Sequence, residues 1–460
     1  STASGNYAGV IQYTYGNIEN LTFQNITADV PKMSYVGSIA RSYSTSIENV
    51  TLNNVEVKGT QYVAGFIGQM DEADVQNVAL KTANVTGSSN YVGGLIGRIA
   101  NTHTTQQKQF NIEADDVHVV STDGSYHGIL YGYGSASNST VKNSSVDGCV
   151  NVGGMAGDTM YPTSQVTIEN CDVSGNQNVG GIAGLTGRNV SNGYIFNSTI
   201  IGKNNNSLYV GGVAGAHHDQ ILDSAVAYST IINPGNYTGG IVGLENCNVY
   251  RSSVYDCTIS GTNYVGGISG GNNENGNSRF VCGNIVQATI NASGTGSGGV
   301  LGYYQNNYSE SNVGRHTIYS NLIENSSISA SYNAGGLIGQ VDAMKTANAI
   351  YNNIIVANVE TTNDPSTAGI VVGNGDALTT TMRDTLIYEN SQLNGEIVSD
   401  LDIIGIEKRN YGTASDLATQ SMYTYRGFVT SEFDFSPLST GYYPTIKNTP
   451  GQELIPLPIS

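Results

Sequence analysis

The sequence predicts an all-β protein: a right-handed parallel β-helix, or solenoid, of about 13 coils, with a small C-terminal cap and an extended, proline-containing tail. Three observations predict it. A glycine-rich seven-residue block recurs along most of the chain. Short β-type runs fill the intervals between blocks. The composition is rich in Gly, Asn, Ser and Thr, with 58 Gly, no Trp and only 12% charged residues.

The block reads YVAGFIG at Tyr62, YVGGLIG at Tyr91, YHGILYG at Tyr126, NVGGMAG at Asn151 and NVGGIAG at Asn178. It continues at Tyr209, Tyr237, Tyr264, Gly296, Asn333 and Thr367, with degenerate copies at Asn6 and Tyr35. Intervals run from 25 to 37 residues, too short for a pair of helices or for a four-stranded propeller blade. Between blocks lie runs such as Ile47–Val57 and Val166–Val173, with near-alternating apolar residues. About three short strands per interval is one coil of a β-helix. Coils stack at about 4.8 Å, so about 13 of them make a rod roughly 60 Å long. The paired glycines then form ladders where backbone meets backbone, or where φ takes values other residues resist. The residue after the pair (Phe66, Leu95, Met155, Ile182, Val213, Ile241, Ile268, Val300, Leu337) is the predicted core ladder.

Residues 1–400 are thus the solenoid and residues 401–460 the cap and linker. Five of the nine prolines fall in the last 24 residues, and a short helix is expected from Ser415, with the tail beyond Gln452 extended. The cap is expected to cover the last coil.

Charge excludes some partners. With 36 acidic against 18 basic residues and a net charge of −18, duplex nucleic acid and anionic membrane surfaces are poor partners. No run reaches the roughly 20 apolar residues of a membrane span, and no signal peptide opens the chain at Ser1. Cys149, Cys171, Cys247, Cys257 and Cys282 have no C-x-x-C spacing and read as small interior hydrophobes.

The G-G-[LIMV]-x-G block resembles the GLUG motif of bacterial surface proteins. The ending from Gly427 and Phe428 through FDFSPLSTGYYPTIK to GQELIPLP resembles the segment closing the non-catalytic N-terminal region of the immunoglobulin A protease family of zinc metallopeptidases of Gram-positive bacteria. The first resemblance covers roughly residues 6–373, the second 425–458. Together they imply a secreted or cell-wall-attached protein in which the β-helix lies upstream of a zinc peptidase domain. Zinc is then expected only in that downstream domain, and no cofactor in this segment. That family works through H-E-x-x-H. None of His103, His118, His127, His217, His218 and His316 is followed by Glu or paired at that spacing, so no catalytic or metal-ligating residue carries over.

Other chemistry is thin. His217-His218-Asp219 lacks the three or four converging ligands of a metal site and reads as a solvated turn. Asp71, Glu72 and Asp74, and Glu113, Asp115 and Asp116, are local acidic patches of the kind a polysaccharide lyase or hydrolase would need to converge in one groove. Gly373–Asp376 is a single fragment of a calcium-loop type. The N-x-S/T triplets, at Asn20, Asn84, Asn197, Asn236 and Asn325 among others, follow from composition.

A binding composition is more useful. Extra residues collect after the block, at one coil corner, and Arg and Tyr accompany them. The candidate binding face is Arg41, Tyr43, Arg98, Tyr161, Arg188, Arg279, Tyr303, Tyr304, Tyr308 and Arg315, on exposed loops. The expected function is a non-catalytic scaffold, a monomeric rod that positions or recognises a host glycoprotein or other extracellular protein. The alternatives are an adhesin stalk binding host glycan or protein and, last, a polysaccharide lyase or hydrolase.

Overall fold

The chain folds as a parallel β-solenoid of about 11 turns. The computed structural model describes residues 6–43, 46–71, 74–100, 109–246, 248–272, 279–305, 316–342, 349–375, 381–383, 385–388, 391–398, 411–412, 419–425, 427–442 and 444–450. Two compact units divide it, Ser1–His217 and His218–Ser460. That division falls inside the repeat array, where composition gives no sign of it.

In the first unit, one short strand follows each block. Ile11–Thr14, Ile39–Ser42, Ile67–Met70, Ile96–Ile99, Tyr131–Tyr133, Ala156–Thr159, Ala183–Thr186 and Ala214–His217 pair in that order, all parallel. In the second unit, Val242–Glu245, Ser269–Asn272, Leu301–Tyr304, Ile338–Val341 and Val372–Gly375 do the same. The number of turns, about 11, is slightly below the 13 predicted. The strand Ile18–Asp29 of the first coil is mostly exposed, with core-register Leu21 uncovered.

The coil bends without losing its inward face. In Ser46–Lys58 the buried residues are Ile47, Val50, Leu52, Val55 and Val57, so strict alternation slips by one residue twice. Each slip holds an asparagine in the left-handed region: Asn49 at φ 54° and Asn54 at φ 56°. One left-handed residue turns the strand and restores the apolar side to the interior, and Asn tolerates that conformation better than most residues. In register these corners stack. Asn49 Nδ2 donates to Asn20 Oδ1 at 3.2 Å, Asn77 to Asn49 at 3.1 Å and Asn111 to Asn77 at 2.9 Å. A second ladder joins Asn143, Asn170 and Asn197, with Asn197 Nδ2 donating to Asn170 Oδ1 at 2.6 Å.

The predicted core ladder is in place: Phe66, Leu95, Met155, Ile182, Val213, Ile241, Ile268, Val300 and Leu337 are all fully buried. Close approach is what the paired glycines serve. A Cβ on Gly181 would lie 2.2 Å from the carbonyl oxygen of Gly212, and one on Gly154 would lie 2.1 Å from that of Gly181.

The C-terminal segment is described in part. The helix described there is Gln420–Tyr425; a start at Ser415 and the tail beyond Gln452 lie outside the described residues. Within the second unit this segment braces the side of the coils. Tyr423, Phe428, Phe433, Phe435, Leu438 and Ile446 pack on Ile285, Leu322, Ile354 and Leu386, which are register partners on four successive coils. Those four outward apolar residues form a stripe that water would otherwise cover, so the aromatic segment lies along it.

Candidate functional site

The site grows from the first residue of the block. In the first unit that position is left-handed in seven coils: Tyr35 at φ 52°, Tyr62 at 51°, Tyr91 at 63°, Tyr126 at 71°, Asn151 at 52°, Asn178 at 51° and Tyr209 at 61°. A left-handed tyrosine costs about 1–2 kcal/mol of backbone strain. Stacking along the ladder offsets it. The rings of Tyr7 and Tyr35 are 4.6 Å apart, Tyr35 and Tyr62 4.6 Å, Tyr62 and Tyr91 5.2 Å, and Tyr91 and Tyr126 5.0 Å. Each such pair contributes about 0.5–1.5 kcal/mol beyond burial. The spacing is that of the coils themselves.

Beside this ladder runs a second row, from the third residue of each short strand. Tyr13, Arg41, Gln69, Arg98, Tyr133 and Asp158 are successive register partners. The two rows meet at Arg98, whose guanidinium lies 5.0 Å from the Tyr91 ring centre and 5.9 Å from that of Tyr62. Tyr133 meets Tyr91 and Tyr126 edge-on. Arg41 lies 4.7 Å over the Tyr43 ring, which stacks on Tyr15 at 5.0 Å, and pairs with Asp71 at 3.3 Å. The Nε–H groups of both arginines are buried and donate to no partner. Burial pushes the Asp158 carboxyl up to about 7, against a lowering hydrogen bond from the Thr159 N–H. A face of phenol edges with two guanidinium groups suits a polar or anionic partner surface.

No family model, curated protein or solved structure matches this chain. Its chemistry is therefore read from the residues themselves.

The ten predicted face residues do not all meet. Arg41, Tyr43 and Arg98 join the face just described, though Arg41 and Arg98 sit on short strands and not in loops. Arg188 donates from Nε to the Met160 carbonyl at 3.2 Å, next to Tyr161. Arg279 is buried at 5% exposure, its Nη1 donating to the Glu245 carbonyl at 3.1 Å and its Nη2 to Asn246 Oδ1 at 3.0 Å. Tyr303 and Tyr304 are buried in the strand Leu301–Tyr304, and the Tyr303 hydroxyl donates to Asp342. Tyr308 and Arg315 lie outside the described residues. The ladder tyrosines are not among the ten, because in sequence they stand only as the opening residues of the block. The signal was present, since Tyr or Asn opens nearly every copy.

The other candidates do not converge. His217 is fully buried, while His218 is exposed and bonds Asn246 at 3.0 Å. Asp115 accepts from Asn143 at 2.8 Å, and Asp116 faces His118 at 3.2 Å. These and Glu113 are outward residues of one strand. Glu72 and Asp376 lie outside the described residues. Among the described residues no group of three or more His, Cys, Asp or Glu could hold a metal ion, and no helix is long and apolar enough to cross a membrane. Cys171, Cys257 and Cys282 are buried thiols; burial pushes them up to about 11, 12 and 12.

Proposed function

We propose that this chain is a non-catalytic β-solenoid of a secreted or cell-wall-attached zinc metallopeptidase, and that it recognises and positions a host glycoprotein substrate. Zinc and the peptide-bond chemistry belong, on this reading, to a separate downstream domain. The recognition surface is the tyrosine–arginine face of the first unit.

The observation that carries the reading is Arg98 seated over Tyr62 and Tyr91. Aromatic and arginine side chains held rigid on strands lose little entropy when a partner docks. Stacked phenol rings beside guanidinium groups are a composition common at binding surfaces, which supports a binding role. The test is binding of immunoglobulin A to the 460-residue chain by surface plasmon resonance, with casein as an unrelated protein. Saturable binding of immunoglobulin A and none of casein is expected, with no cleavage of either. Equal binding of both proteins, or of neither, would overturn the reading.

A further inference from the structure

The two arginines of the first-unit face are spent differently. Arg41 is matched by a carboxylate: its Nη2 donates to both oxygens of Asp71, at 3.3 and 3.5 Å. Arg98 is not matched. Among the described residues it makes no ion pair and no side-chain hydrogen bond, and its guanidinium rests on the rings of Tyr62 and Tyr91. Its Nε–H is buried and donates to nothing. Residues 75–112, the chain on either side of Arg98, contain no Asp or Glu. Its register partners are Gln69 and Tyr133, both uncharged. The carboxyl group of the same row, Asp158, stands beyond Tyr133, and burial pushes it up to about 7. Arg98 is thus a fixed cation without a counter-charge, in a chain whose net charge is −18.

A half-buried guanidinium with an unused Nε–H lacks an acceptor. The edge formed by Nε and one Nη takes a planar carboxylate through two parallel hydrogen bonds. One unmatched cation suits one negative charge; a dianion such as phosphate would call for a second, and Arg41 is held by Asp71. Beside Arg98 the rings of Tyr62, Tyr91 and Tyr126 stand one coil apart, at 5.2 and 5.0 Å. Their faces are spent on each other, so a ligand meets their edges. A phenol hydroxyl both donates and accepts, and these three bond no other described residue. A row of such hydroxyls suits a ligand that carries several hydroxyl groups of its own.

We propose that Arg98 anchors a carboxylated sugar: a sialic-acid-type residue of the partner's glycan sets its carboxylate on the Arg98 guanidinium and its hydroxyls against the phenols of Tyr62, Tyr91 and Tyr126. The proposal rests on the reading of this face as a recognition surface, and names the ligand class that the face takes.

The test is calorimetric titration of the whole chain with sialyllactose, lactose and sulfated lactose. Sialyllactose should bind, and the other two at least about tenfold more weakly. Arg98→Gln should weaken sialyllactose at least about tenfold with an unchanged melting temperature. Tyr91→Phe keeps the stacked ring and loses one hydroxyl, so it should weaken sialyllactose about threefold or more, whether or not the first variant folds. Absence of sialyllactose binding, equal binding of lactose or sulfated lactose, or unchanged affinity in folded Arg98→Gln or in Tyr91→Phe would each overturn the proposal. Binding of immunoglobulin A without binding of sialyllactose overturns it too, and leaves the recognition reading standing. Binding of sialyllactose without immunoglobulin A supports the ligand class and overturns that choice of partner.

Discussion

Gly181 and Gly212 meet backbone to backbone: the Gly181 N–H donates to the Gly212 carbonyl at 3.0 Å, and a Cβ on Gly181 would stand 2.2 Å from that same oxygen. Two neighbouring coils thus touch where any side chain would push them apart. Gly181→Ala should destabilise the protein by about 1–3 kcal/mol or more. Gly187 has no heavy atom within 4 Å of its Cβ position, so Gly187→Ala should change stability by no more than about 1 kcal/mol. Urea unfolding of the two variants measures the difference, and equal midpoints would refute the account of the paired glycines.

Asn49 both turns the strand and bonds its neighbours above and below. Asn49→Gly keeps the left-handed backbone and loses the side-chain bonds to Asn20 and Asn77. Asn49→Ala loses both. Because the bonds are exposed, the Gly variant should cost about 1 kcal/mol or less, and the Ala variant about 1–2 kcal/mol more. If Ala is as well tolerated as Gly, backbone conformation is not what selects Asn at these corners.

His127 stands in a row of valines. Its register partners are Val92 and Val152, it is fully buried, and burial holds it down to about 4. Its unfolded counterpart titrates near 6.5. Stability from this group is therefore complete above about pH 6.5 and is lost as pH falls toward 4, by about 3 kcal/mol in all. His127→Val should flatten that part of the profile. Melting temperatures of both proteins between pH 4 and 7 test it; parallel profiles would show that His127 is not buried neutral.

Glu324 is fully enclosed near Tyr423 of the brace, and burial pushes it up to about 8. The folded protein holds a proton that the unfolded chain releases near 4.5. Stability is thus fully present below about pH 4.5 and is lost as pH rises through 8. Glu324→Gln, which stays neutral, should melt higher than the wild type at pH 8 and level with it at pH 4.5. Thermal unfolding at the two values decides the point; a constant difference between the two proteins would contradict it.

Much of this fold is legible in the sequence, for reasons that particular residues make plain. The block fixes both the core position, as at Ile182, and the close-packed position, as at Gly181, because a ladder repeats one environment in every coil. The left-handed conformations of Asn49 and Tyr91 were not legible. They follow from how a strand turns a corner, and only their stacking in register makes a tyrosine tolerable there. The Arg98 contact escaped for a related reason: Arg98 and Tyr62 are distant in sequence and meet only through the coil spacing. The aromatic residues of the brace name no partner in sequence, because the stripe they cover, from Ile285 to Leu386, is spread over four coils.

The central claim is that the tyrosine–arginine face of the first unit is a recognition surface. Its most direct test is the affinity of immunoglobulin A for the double variant Arg41→Gln, Arg98→Gln beside the wild type, with melting temperatures matched. The account predicts at least about a tenfold loss of affinity, the scale of a binding hot spot. Unchanged affinity in a variant that melts like the wild type would contradict it.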